Sequence, residues 1–203
     1  MKEALQNSLP ALRGAAAHCR DCALWANATQ TVFGAGNPHA SVMLVGEQPG
    51  DQEDVQGQPF VGPAGQLLDR ALEEAGVDRR AAYVTNAVKH FKWEPRGKRR
   101  LHKTPAQREV EACRQWLDGE IRALRPQVIV CLGATAARSL LGPDFRVSRE
   151  RGRFVASTLA PFVFATVHPS AILRSRDEAE RARSFQQLVS DLRLIRRAMD
   201  SDG

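Results

Sequence analysis

No apolar run in this chain approaches the length of a bilayer-crossing helix, which excludes a membrane-spanning reading. Met1 to Arg13 carry no compact apolar block ending in a small-residue cleavage site. Without a secretion signal, the expected location is the cytoplasm. Internal repeats and low-complexity tracts are absent, and a hydrophobic share of 43% excludes a disordered chain. Cysteine is sparse, with Cys19, Cys22, Cys113 and Cys131 the only four. In a cytosolic chain the C-x-x-C pair reads as metal-binding or redox, not as a disulfide framework. Acids are nearly missing from residues 89–108, where Lys89, Lys92, Arg96, Lys98, Arg99, Arg100, Lys103 and Arg108 face only Glu94.

What is present is a 203-residue chain, long enough for one domain (1–203) with a proper core. The net charge is +6 and the pI about 9.6, which favours a polyanionic partner. Lys98, Arg99, Arg100 and Lys103 surround His102 in the stretch from Trp93 to Pro105. Such cations attract phosphates, and a neutral imidazole can act as a nucleophile. The plain alternative is a solvated charged loop with an exposed histidine. Residues 47–54 hold the opposite charge in Glu47, Asp51, Glu53 and Asp54. An acidic pocket beside a basic rim suits an enzyme that grips a phosphate backbone and needs a carboxylate at its centre.

The spacing predicts a helix over residues 3–17 and buried strands over 41–46, 82–88 and 127–132. Further strands are expected over 151–157 and 162–167. Helices are expected over 64–75, from Thr104-Pro105 to Leu124, over 134–141 and over 177–199. Residues 47–63 and 93–103 read as loops. Alternating strands and helices imply an α/β sheet with helices on both faces. Ligands of such sheets bind beyond the carboxyl ends of the strands, so the segments 46–51, 86–90, 133–135 and 168–170 should meet in one cleft.

Each candidate has an ordinary reading beside the functional one. Glu47 and Asp51 are solvated loop acids or carboxylates at a strand end. Phe60, in Pro-Phe-Val-Gly-Pro, is a core ring or a stacking platform for a base. Asn86 satisfies backbone groups, or offers its donor and acceptor to a pyrimidine edge. His168, before Pro169-Ser170, is structural or a donor to a developing oxyanion. Leu173-Arg174 has the make-up of a wedge that fills the gap left by an extruded base. Cys131 belongs to the core. Cys19, Cys22 and Cys113 leave one ligand to find, and His90 is available for an iron–sulfur cluster or for zinc.

Gly46-Glu-Gln-Pro-Gly-Asp51, the run Gly57 to Gly65, Thr85-Asn-Ala-Val-Lys-His90, Pro126 to Gly133 and His168-Pro-Ser170 resemble the iron–sulfur uracil-DNA glycosylases of family 4. The likeness runs from about Cys19 to the C-terminal helix. Two departures are similar to the X-type (UdgX) branch: His90 stands where the family's cluster cysteine is usual, and Gly97-Lys-Arg-Arg-Leu-His102 is an insert. Leu101 replaces the isoleucine of the familiar insert.

The resemblance implies a three-layer α/β/α sandwich around a central, mainly parallel four-stranded sheet. It implies a 4Fe-4S cluster held by Cys19, Cys22, His90 and Cys113, structural or DNA-positioning rather than catalytic. The Gln48 backbone, Phe60, Asn86 and His168 would hold a flipped uracil, and His168 and Asp51 would also count among the catalytic residues. Glu47 and His102 would carry the chemistry, and Lys98, Arg99, Arg100, Lys103 and Arg174 would contact DNA. The expected outcome is uracil excision, preferentially from single-stranded DNA, by a monomer that then becomes bonded to C1′ through His102, with free uracil as product. A water-dependent family 4 enzyme that turns over and a non-enzymatic iron–sulfur DNA-binding redox regulator are the rivals.

Overall fold

A computed structural model describes residues 8–200. Helix α1 (Leu9–Ala16) covers part of the helix expected from residue 3; residues 3–7 lie outside the described residues. A two-residue strand β1 (Ala35–Gly36) leads to β2 (Val42–Gly46). Helices α2 (Asp51–Gln56) and α3 (Pro63–Glu74) follow, then β3 (Ala82–Asn86). Strands β4 (Trp93–Arg96) and β5 (Arg99–His102) form a separate hairpin before α4 (Gln107–Leu124) and β6 (Val128–Leu132). The chain closes with α5 (Ala134–Leu141), α6 (Val147–Glu150), β7 (Phe154–Val155), β8 (Phe162–Thr166), α7 (Pro169–Arg174) and α8 (Glu178–Asp200).

The main sheet runs β1-β3-β2-β6-β8-β7. Its four inner strands are mutually parallel, as expected; β1 and β7 add short antiparallel edges. The expected strand 151–157 shrinks to two residues, since the chain turns at Gly152 with a positive φ of 70°. Val42–Gly46 and Val128–Leu132 are buried throughout. Strand periodicity splits them between two cores. Leu44, Val84, Val130 and Phe164 pack with Leu68, Leu72, Leu188 and Leu192 on one face. Met43, Val45, Ile129, Cys131 and Val163 pack with Leu117, Ile121 and Leu140 on the other. Those are the three layers. The chain leaves β2 for β3 on one side and reaches β6 on the other, so a switch point lies at the carboxyl end of β2.

Two expectations shift. The acid-rich stretch after β2 contains α2, whose acids hide it from an apolar-periodicity reading. The helix expected at Thr104-Pro105 begins at Gln107, because Glu109 Oε2 accepts the Ala106 N–H at 2.6 Å and sets the start there.

Candidate active site

The four strand-end segments do converge. Segments 46–51, 133–135 and 168–170 line a cavity of about 640 Å³ that includes Glu47, His102, Thr135, His168 and Arg174, and segment 86–90 brings Asn86 to its side. A smaller recess of about 190 Å³ opens beside it, walled by Phe60, Asn86, Glu53 and His168.

Glycine makes the recess possible. A Cβ on Gly46 would lie 2.4 Å from Asn86 Oδ1 and 2.7 Å from Phe60 Cζ. A Cβ on Gly65 would overlap the Phe60 carbonyl, so α3 can rest on that backbone only through a bare Cα. Phe60 itself sits at φ 58°, a left-handed conformation rare for an aromatic. Glu53 secures both flanking loops: Gly50 N–H donates to Oε2 at 3.1 Å and Gly62 N–H to Oε1 at 2.7 Å. The ring thereby stands as a wall, 6.2 Å from the His168 ring and roughly parallel to it.

His168 is held in one tautomer. Its Nδ1 accepts the Ser170 N–H at 3.1 Å, so a neutral ring carries its proton on Nε2. Burial, with Arg174 and His102 adding positive charge, pushes its pKa down to about 4. The ring is therefore a neutral N–H donor at pH 7. His102 Nε2 stands 3.3 Å from Glu47 Oε1, and burial outweighs Glu47 in holding the His102 pKa below its usual value. The second Glu47 oxygen accepts the Thr135 hydroxyl.

The segment carrying His102 is a hairpin, not a loop. Gly97 supplies the positive φ of 60° at the first central residue of a two-residue turn. Strand alternation then decides which cations face out. Arg100 and His102 share the inward face, while Leu101 lies on the other side and is exposed. The sequence groups Arg100 with the DNA-facing cations; the structure turns it inward. Its guanidinium meets Asp51 Oδ1 and Asp54 Oδ2, each at 2.5 Å, and lies beside the Phe91 and Trp93 rings. Asp51, expected in the chemistry, is committed to that ion pair and does not line the cavity. Lys98 and Arg99 are exposed, and Lys103 pairs with Glu94 at 2.8 Å.

Gln48 has a role no sequence signal announces. Its side chain donates to the Lys92 and Lys103 carbonyls and accepts the Lys92 N–H, bridging the mouth of the hairpin.

The chain belongs to the uracil DNA glycosylase superfamily. The model of that family matches residues 33–193. A type-4 uracil-DNA glycosylase of Thermotoga maritima is 37% identical over 177 residues, covering 82% of this chain and 88% of its own. One of Archaeoglobus fulgidus is 39% identical over 162 residues, covering 76% and 78%. A type-5 enzyme of Pyrobaculum aerophilum is 29% identical over 164 residues, covering 68% and 64%.

Asn86, at the end of β3, opens a loop that ends at His90. Beneath it lies a buried charge network. Lys89 Nζ donates to Thr85 Oγ1, the Asn86 carbonyl and Glu120 Oε2 at 2.6–2.7 Å. Glu120 also accepts from Gly34 N–H, Tyr83 and Thr85. Past it, the Lys89 N–H donates to Cys113 Sγ at 3.3 Å.

Among the described residues, no three Cys, His, Asp or Glu side chains converge around one metal ion. Ligands of a multi-iron cluster stand farther apart than ligands of one ion, so the donor chemistry is the better test of fit. Burial pushes the Cys113 thiol up to about 11, and both Cys22 and Cys19 lie near enough to raise it further. Cys19 Sγ accepts the Trp116 indole N–H at 3.2 Å. His90 Nε2 is 2.9 Å from Thr31 Oγ1, whose single proton goes to the Ala16 carbonyl. The ring must therefore donate from Nε2, which leaves the lone pair on Nδ1. That atom is buried and has no hydrogen-bond partner. A buried, unmet imidazole lone pair beside a recess that Cys19 also lines, one residue from the N–H bonded to Cys113 Sγ, fits a metal group.

Proposed function

We propose that this protein excises uracil from DNA, preferring single strands, and then bonds to the abasic site through His102. The observation that carries the reading is the pairing of His102 with Glu47 in a cavity that also holds the neutral His168 donor. The type-4 relatives, named as uracil-DNA glycosylases, support the substrate.

Flipping a uridine out costs a few kcal/mol in a duplex and least in a single strand. Phe60 stacks on the base, the Asn86 amide pairs with its Watson–Crick edge, and the Gln48 backbone borders it. His168 donates from Nε2 to uracil O2 as the glycosidic bond stretches, which stabilises the anion and leaves an oxocarbenium-like sugar. A ring nitrogen of His102 forms the bond to C1′ while the bond from C1′ to the base breaks. The electron pair leaves on uracil, which then takes a proton from water. The proton on the other His102 nitrogen is held or accepted by Glu47. Lys98, Arg99, Lys103 and Arg174 line the route of the phosphates.

Cys19, Cys22, Cys113 and His90 would hold a 4Fe-4S cluster, which supplies structural cross-linking and no chemistry at the sugar. The unpartnered His90 Nδ1 supports a metal group at these residues.

The test incubates the protein with a single-stranded oligonucleotide containing one uracil. The expected product is an SDS-resistant complex whose linked peptide, by mass spectrometry, contains His102. His102→Ser should abolish the complex and retain some uracil release. An SDS-resistant complex that survives in His102→Ser rejects the assignment. Release with turnover and no complex in the parent supports water as nucleophile. No release at all supports the DNA-binding regulator.

A further inference from the structure

The Glu47 carboxylate has two oxygens and two partners. Oε1 faces His102 Nε2 at 3.3 Å, and Oε2 accepts the hydroxyl of Thr135. Thr135 lies in the first turn of α5, and all three side chains line the same cavity. Beyond the contact with His102 itself, the Thr135 hydroxyl is the one group hydrogen-bonded to the Glu47 side chain among the described residues, so it is what holds the terminal torsion when His102 turns to the sugar. That torsion is otherwise broad. A carboxylate free to rotate in a cavity of about 640 Å³ can present either oxygen to solvent and act as a base for water.

We propose that Thr135 is a positioning residue that commits Glu47 to His102 and so decides between covalent capture and hydrolysis. The inference rests on the proposed attack by His102. Thr135 keeps its proton throughout; it donates a hydrogen bond and takes no part in bond making. With Oε2 occupied, Oε1 is aimed at the imidazole when C1′ becomes electron-poor. Without the hydroxyl, water competes for the carboxylate and for the sugar.

The experiment measures, in single turnover on the same oligonucleotide, how fast the complex forms and how the strand that has lost uracil partitions between complex and free abasic product. Thr135→Val keeps the shape and removes the hydroxyl. It should slow complex formation about 10–100-fold, the effect of one lost hydrogen bond to a charged group, and raise the share of free abasic product. Thr135→Ser should restore the parent partition. In a Glu47→Gln background, Thr135→Val should add little. A parent-like partition in Thr135→Val overturns the proposal. So does equal damage in the Val and Ser variants, which marks a packing role, or an undiminished Val effect without Glu47. If the parent forms no complex while releasing uracil, the His102 reading itself has failed and this one falls with it.

Discussion

Replacing Lys89 with Met should destabilise the fold far more than a surface lysine would. The Lys89 and Glu120 side chains are 1% and 0% exposed, and Nζ to Oε2 is 2.6 Å. Removing one partner of such a pair leaves a buried charge without its counter-ion, which costs about 3–5 kcal/mol. For a chain this size that lowers the melting temperature by about 6–20 °C. Removing both charges, with Lys89→Met and Glu120→Leu, should recover only part of the loss. Tyr83, Thr85 and the Gly34 N–H would still lose their acceptor. The assay is a double-mutant cycle by denaturant unfolding, with uracil release measured alongside. The Asn86 carbonyl also loses a donor, so binding of uracil-containing DNA should weaken in Lys89→Met. A single-variant cost under about 1 kcal/mol would show that the network is solvated and refute the reasoning.

Gln48→Ala should cost about 1.5–4 kcal/mol through its three hydrogen bonds to residues 92 and 103, and proteolysis should cut the hairpin faster. Arg100→Ala should lower stability without changing the salt dependence of DNA binding. Lys98→Ala or Arg99→Ala should each reduce the slope on a single strand by about 0.7. Thr31→Val removes the hydroxyl that fixes the His90 tautomer, so iron content and visible absorbance of the purified protein should fall. His168 takes up its proton near pH 4 when folded and near 6.5 when unfolded, so the unfolded chain binds more protons between those values. Its contribution, at most about 3 kcal/mol, is complete above pH 6.5 and is lost as pH falls toward 4. His168→Asn should flatten the melting temperature over that range; an unchanged pH slope would contradict the assigned burial effect.

The buried strands, the helices packed on them and the location of the cleft were legible in the sequence, because apolar runs and helical periodicity report burial directly. Glu47, Asn86 and His168 could be singled out for the same reason: strand ends in an open α/β sheet face the ligand. The motif likeness added the candidate roles. Side-chain direction within the basic stretch was not legible. Arg99 and Arg100 are neighbours of identical chemistry, and only the hairpin register sends one outward and the other to Asp51 and Asp54. The same limit hid the bracing by Gln48, the Glu53 bonds to two loops, and the pairing of Lys89 with Glu120 across 31 positions. Such contacts join segments whose separation along the chain carries no periodic signal. Composition and pattern thus determined the layers and the strand ends, while tertiary packing alone decided which polar side chains brace the site and which face the cavity. Burial is a property of single residues, whereas a hydrogen bond belongs to two.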